Sequence, residues 1–197
     1  VISGPVAITI TPMEYGFEGR GSSTDPYKIN NVDDLVKLQE FVNDGTAFQG
    51  KYFQFTDNIT LPDNWTPMGC TVDGTSNVKD VSNLHAFSGI IDGNGKTLTV
   101  PAGGLPLLGY VKDATVKNLN IYGTQIKGAG LVNNYTGVGL DGNAITIENV
   151  RVKSGTSTLN SGLIASTGGN GYACASGGFV VTVRNCVIED GVIVGYT

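Results

Sequence analysis

Thr115-Val-Lys-Asn118-Leu-Asn-Ile121, Thr146-Ile-Glu-Asn149-Val-Arg-Val152 and Thr182-Val-Arg-Asn185-Cys-Val-Ile188 share one pattern: Thr, aliphatic, charged, Asn, apolar, variable, β-branched. They begin at 115, 146 and 182, so the repeats stand 31 and 36 residues apart. A strand pattern recurring at about 20 to 50 residues marks one structural unit stacked on copies of itself, because no single unit can bury its own apolar face.

If each segment is the same strand in successive coils, every position becomes a column along the stack. Val116, Ile147 and Val183, then Leu119, Val150 and Cys186, then Ile121, Val152 and Ile188 would form the interior. Thr115, Thr146 and Thr182 would line the outside with Lys117, Glu148 and Arg184. Neighbouring strands lie about 4.8 Å apart, so the alternating charges make a surface ladder worth about a few tenths of a kcal/mol per pair. Asn118, Asn149 and Asn185 would stack as an asparagine ladder at a bend, where Asn tolerates the left-handed conformation and caps local backbone groups. That polar column is structural on this reading, not a ligand site.

Gly104-Leu105, Gly130-Leu131-Val132 and Gly162-Leu163-Ile164 suggest a second strand of each coil, 12 residues beyond the ladder Asn in one coil and 13 in the next. Stretches rich in Gly, Asn, Thr and Ser between them make turns. With 29 Gly, 15% charged residues and no long helical periodicity after residue 44, the composition is not that of an α/β protein. The expected fold class is all-β: a three-sided right-handed parallel β-helix with one N-terminal capping α-helix.

The cap is legible in its own pattern. Tyr27-Lys-Ile29 makes a short strand, and Asn31 to Gly45 carries Leu35, Leu38 and Val42 on one stripe at helical spacing, with Val32 and Phe41 nearby. Asn31 can cap the start, Asp33 and Asp34 suit its positive end, and Gly45 stops it. Lys51 to Leu61 then alternates like a strand. A helix here would cover the end of the stack, which otherwise offers unpaired strand edges. The expected division is 1–18 as lead strand or linker, 19–62 as a strand-helix-strand cap, and 63–197 as coils.

At these residues the chain resembles a known family. Gly19-Arg-Gly-Ser-Ser-Thr-Asp-Pro-Tyr-Lys-Ile29, Phe48-Gln-Gly-Lys-Tyr-Phe-Gln-Phe-Thr-Asp-Asn-Ile-Thr-Leu61, Trp65-Thr-Pro-Met-Gly69, Phe87-Ser-Gly-Ile-Ile-Asp-Gly-Asn-Gly-Lys-Thr-Leu98 and Leu107-Leu-Gly-Tyr-Val111 are similar to the opening of bacterial cell-surface β-helix domains with GLUG-type repeats. Such domains include the N-terminal region of some large secreted metallopeptidases. The resemblance covers roughly residues 19 to 197 and implies a secreted or wall-attached multidomain protein in which the β-helix serves as stalk, adhesin or accessory module. It carries over no catalytic residue, and the chain departs from the simplest repeats in its variable coil lengths and in lacking Gly-Leu-hydrophobic-Gly in every copy.

A net charge of −5 without a basic stripe argues against a nucleic-acid partner. No apolar run is long enough to insert in a membrane. The chain stops nine residues after Ile188, before the coil pattern would return, which suggests a piece of a longer protein. Of the three cysteines, Cys186 falls in an interior column and is expected as a buried thiol, a Cys174–Cys186 bridge being the alternative; Cys70 joins neither scheme. No cysteine and histidine spacing resembles a metal site, and no cofactor is expected. Asn58-Ile-Thr60, Asn64-Trp-Thr66 and Asn134-Tyr-Thr136 match a glycosylation sequon that is coincidental in a bacterial protein.

Polysaccharide lyases and glycosidases share the β-helix fold, and they need converging carboxylates, for calcium or as an acid and base pair about 5 to 9.5 Å apart. Asp92-Gly-Asn-Gly95 begins like a calcium loop, yet Gly103 stands where a bidentate Glu is required, so it suggests a hairpin-type turn. Glu189-Asp190 reads as a turn, and His85 as a loop histidine with no nucleophile beside it. The binding candidates are Tyr122, Tyr135 and Tyr172, aromatic rings able to stack on sugars or fill a partner's pocket. Trp65 is assigned to packing. The segment Cys70 to Leu84, rich in Asp, Ser, Thr and Asn, is where recognition particular to this chain would sit. The sequence therefore points to a non-catalytic extracellular structural or adhesive module with a glycan or protein partner, the rival being a polysaccharide-active enzyme fragment.

Overall fold

Asn31 starts the only α-helix among the described residues. Its backbone is extended (φ −157°) and its side chain accepts a hydrogen bond from the Asp34 N–H at 3.1 Å, while the Asp34 carboxylate accepts from the Asn30 N–H at 3.0 Å. These bonds satisfy donors that a helix start leaves unpaired. Helix α1 (Val32–Asn43) buries Leu35, Leu38 and Val42 completely and ends at Gly45, whose positive φ of 105° suits a residue without a side chain. Each buried aliphatic contributes up to about 1.5–3 kcal/mol.

The computed structural model describes residues 14–69, 85–133, 144–159, 162–166 and 180–195. Its strands are β1 (Tyr27–Ile29), β2 (Tyr52–Phe55), β3 (Ile59–Thr60), β4 (Ile90–Asp92) and β5 (Thr97–Val100). They continue with β6 (Ala114–Lys117), β7 (Asn120–Gly123), β8 (Ile126–Lys127), β9 (Val132–Asn133) and β10 (Ala144–Glu148). The last are β11 (Arg151–Val152), β12 (Thr158–Leu159), β13 (Ala165–Ser166), β14 (Val180–Arg184) and β15 (Val187–Ile188). The protein is β-rich, with one helix and parallel sheets.

One sheet runs β1-β2-β4-β6-β10-β14 and a second runs β15-β11-β7-β5-β3, both with parallel pairings. From β2 to β7 the chain visits the two sheets alternately. The pairs Thr115↔Thr146↔Thr182 and Val116↔Ile147↔Val183 set the register of the first sheet, and Ile121↔Val152↔Ile188 that of the second. Val116, Ile121, Ile147, Val150 and Val152 are buried, because alternate residues of a strand point to opposite faces.

A further set of parallel pairings joins Met68 to Leu108, Leu108 to Val132, and Val132 to Ala165. The sequence alignment of this column needs correction. Val132 opposes Ala165, so Gly130 opposes Leu163 rather than Gly162, and Leu108 opposes Val132, so Pro106-Leu107 take the place the pattern gave to Gly104-Leu105. Gly104 instead closes a turn by donating to Pro101 O at 2.8 Å. Close approach fixes the shift: a side chain added at Gly130 would run into Leu163 O.

Asp92-Gly-Asn-Gly95 is a corner between β4 and β5, which lie in different sheets, and not a hairpin. Asn94, at φ 49°, donates its N–H to Asp92 Oδ1 at 2.9 Å. The length of chain between paired positions varies most on one connection. From the first sheet to the Met68 column the steps Ile90 to Leu108, Thr115 to Val132 and Thr146 to Ala165 are 18, 17 and 19 residues. The returns Met68 to Ile90, Leu108 to Thr115, Val132 to Thr146 and Ala165 to Thr182 are 22, 7, 14 and 17.

Under α1 lies an aromatic cluster. Phe53 packs edge-on to Phe17 (5.7 Å between ring centres) and Phe48 (5.1 Å), and tilted against Tyr27 and Phe87. Phe17, inside the segment assigned to a lead or linker, is buried here. The Tyr27 hydroxyl donates to Glu14 Oε2 at 2.6 Å, and Lys51 Nζ donates to the same oxygen at 3.0 Å. Burial, and then the bond to Glu14, pushes the Tyr27 pKa up to about 12.

Phe53→Ala is expected to lose about 3–5 kcal/mol in denaturant unfolding, since the ring is fully buried among four others. The Tyr27 hydrogen bond, and then Lys51, hold the Glu14 carboxyl below its ordinary value. Its contribution is therefore complete above the unfolded-state pKa and is lost as pH falls through the lower folded one. Unfolding followed between pH 6 and about 2 should lose part of its acid sensitivity in Glu14→Gln.

Candidate functional site

Tyr122 lies on β7 opposite Thr99 of β5, on the outward side of a strand whose Ile121 is buried. It is 38% exposed, the large aromatic most open to solvent among the described residues. Its ring rests over the turn at Gly155, where an added Cβ would lie 3.6 Å from Tyr122 Cε2. A glycine seat and a paired strand position the ring.

Charged and polar side chains frame it. Arg151 opposes Asn120, one step along the sheet, and its Nη1 lies 3.2 Å from Glu189 Oε1. The other carboxylate oxygen of Glu189 accepts the Ser154 N–H at 2.9 Å. This backbone bond, with Arg151 adding to it, holds the Glu189 carboxyl below its ordinary value. Asn120 donates through Nδ2 to Gly95 O at 2.7 Å. The outer face thus combines an aromatic platform with a guanidinium, a carboxylate and amide groups, a set that can stack on a sugar or a planar side chain and hydrogen-bond around it.

Tyr135 and Tyr172 lie outside the described residues, as do Cys70, Cys174 and the 71–84 segment. Asn118, Asn149 and Asn185 all adopt the left-handed conformation, at φ 53°, 52° and 52°, where the chain turns from the first sheet to the second. Asn149 Nδ2 donates to Asn118 Oδ1 at 3.1 Å, and Asn118 Nδ2 donates onward to Asp92 Oδ1 at 2.9 Å. Asn185 makes no side-chain hydrogen bond among the described residues, so the amide chain has two links and ends in a carboxylate. The sequence did not connect Asp92 with this column; that it stands opposite Lys117, one position before Asn118, becomes visible only once β4 is in register.

Cys186 is half-buried rather than buried. Leu119 and Val150 in its column are covered, whereas β14 and β15 have a described neighbour on one side only. The thiol donates weakly to Arg184 O at 3.3 Å and has no disulfide partner among the described residues. Trp65 is buried and donates through Nε1 to Pro106 O at 3.0 Å. His85 donates from Nδ1 to Asn43 O at 2.6 Å, beside Gly45 at the end of α1.

The acids are spread out, and three on the outer faces of the sheets are paired with bases. Asp92 sits 3.5 Å from Lys117, Glu148 3.8 Å from Arg184, and Glu189 against Arg151. No group of three or more His, Cys, Asp or Glu able to hold a metal occurs among the described residues. None of their helices is long and apolar enough to cross a membrane.

These features define a β-rich protein of parallel sheets with a helix over one end and an aromatic-bearing outer face. A 159-residue stretch is 28% identical to Halomucin of Haloquadratum walsbyi, covering 74% of this chain and 2% of that protein. No protein-family model matches the chain, and no solved structure does.

Asn149→Ala should cost about 1–2 kcal/mol, combining the lost amide bond with a left-handed residue that has a Cβ and no polar group. Asn149→Gly should recover most of that loss, because glycine adopts the conformation freely. Thermal unfolding of the two variants beside the wild type measures the difference.

Proposed function

We infer that the parallel sheets are sides of a right-handed parallel β-helix capped by α1, and that this unit is a non-catalytic structural or adhesive module of an extracellular protein. The in-register columns support the first part: β6, β10 and β14 keep Thr opposite Thr and aliphatic opposite aliphatic while the residues between them vary in number. The similarity to Halomucin supports the second, since its name speaks of a mucin and the matched stretch is 2% of its length. The likeness to GLUG-type surface domains belongs to the same reading.

The observation that carries recognition is the seated, exposed Tyr122, flanked across the strands by Thr99 on one side and Lys153 on the other. A ring held on a rigid sheet loses little freedom on binding, so a glycan or a protein loop could use it as an anchor. The pairing of each framing acid with a base favours binding over acid–base chemistry at this face.

A glycan array probed with the purified chain, with calcium and with a chelator, tests this. Saturable binding that falls at least about ten-fold in Tyr122→Ala, at unchanged thermal stability, is the expected result. Binding unaffected by that change would move the site elsewhere, and no binding to any glycan would leave a protein partner or a spacer role.

A further inference from the structure

The two ends of the stack differ. At one end α1 covers β1 and its core. At the other, Val183 is 49% exposed, Ile188 53% and Ile193 64%, although Val183 and Ile188 occupy columns that are buried in the preceding rungs. We propose that the β14–β15 edge is a binding surface for one further extended segment, paired in parallel, with a carboxylate opposite Arg184 and an asparagine opposite Asn185. The inference rests on the parallel-coil reading and goes beyond it in naming the occupant.

Three regularities specify that occupant. The first is backbone: Gly93 N–H donates to Lys117 O (2.8 Å), Asn118 N–H to Glu148 O (3.0 Å) and Asn149 N–H to Arg184 O (3.0 Å), each across to the next rung. Asn185 holds the same position and the same φ, with no described strand beyond it. Because alternate residues of a parallel strand bond to opposite neighbours, Val181 and Val183 offer their N–H groups on the same side as Asn185.

The second regularity is charge. The outer column runs Lys28, Gln54, Asp92, Lys117, Glu148, Arg184, with Lys28 bonded to Gln54 at 2.7 Å, Lys117 paired to Asp92 and Arg184 to Glu148. From Asp92 onward the sign alternates at every step, so an acid completes the series at the next. The third is the amide column: Asn149 bonds back to Asn118, and an Asn placed above Asn185 continues it. A second copy of this stack fits poorly, since Arg184 is the sole charged residue of β14 and two such edges bring like charges together.

The chain's own segment 144–153 (Ala-Ile-Thr-Ile-Glu-Asn-Val-Arg-Val-Lys) has the required acid and asparagine and serves as a probe. Added as a synthetic peptide, it is expected to slow amide exchange at Val181, Val183 and Asn185 saturably. A peptide carrying Lys at the position of Glu148 should bind about five-fold more weakly, and Arg184→Glu in the protein should reverse that preference. Equal protection by a scrambled peptide, no protection by any peptide, or sedimentation as a dimer through this edge would overturn the proposal. Exchange at β6 and β10 in the free protein separates the two readings: slow amides there with an unresponsive edge sink only the edge proposal, while fast amides there sink the stack itself.

Discussion

The alignment of the two sheets from β6 onward depends on turning a corner at a single residue, in the same place after β6, β10 and β14. Asn118, Asn149 and Asn185 adopt φ near +52°, and on either side of them the backbone is committed to two different sheets. A residue with a branched side chain pays a steric penalty there, whereas Asn can bond its amide to the rung below. Because the corner is local and repeated, the strands before and after it arrive in register without further instruction. The buried columns follow: Val116 under Ile147, Ile121 under Val152.

Helix α1 answers a different constraint, the exposed beginning of the core. Its apolar stripe lies on the aromatic cluster, and its far end reaches the loop before the Met68 column through Gln39 to Thr66 O (2.8 Å) and Gly69 N–H to Asn43 Oδ1 (2.8 Å). The cap is thereby bonded to more than one rung. The Glu14 carboxylate, shared by Tyr27 and Lys51, fastens the preceding segment over the same cluster.

The strand columns and the helix were legible because each is written in side-chain periodicity. Thr, aliphatic, charged, Asn needs only one register to make sense, and the Leu35, Leu38, Val42 stripe only one helix. The Met68 column was misaligned because glycine and leucine are common and its register is set by backbone approach at Gly130, which leaves no periodic trace. Asp92 was taken for a turn residue, since its role as the foot of the asparagine column depends on a neighbour 26 residues away. Cys186 was placed in the right column, but exposure depends on what lies above it, and a column cannot report that. The seat of Tyr122 over Gly155 was hidden for the same reason: the two are adjacent across rungs, not along the chain.

The unequal returns from the Met68 column to the first sheet, 7 residues in one rung and 22 in another, separate the architecture from its ornament. The steps from the first sheet to that column keep near-constant lengths, so the strand register is indifferent to how much chain is spent on this connection. Lengthening a loop costs only about 0.6 kcal/mol per doubling, far less than disturbing a buried column. That connection is therefore free to vary in length while the register of the paired strands stays fixed. Grafted peptides, epitopes or sequence changes between related chains would be accommodated there with little consequence for folding.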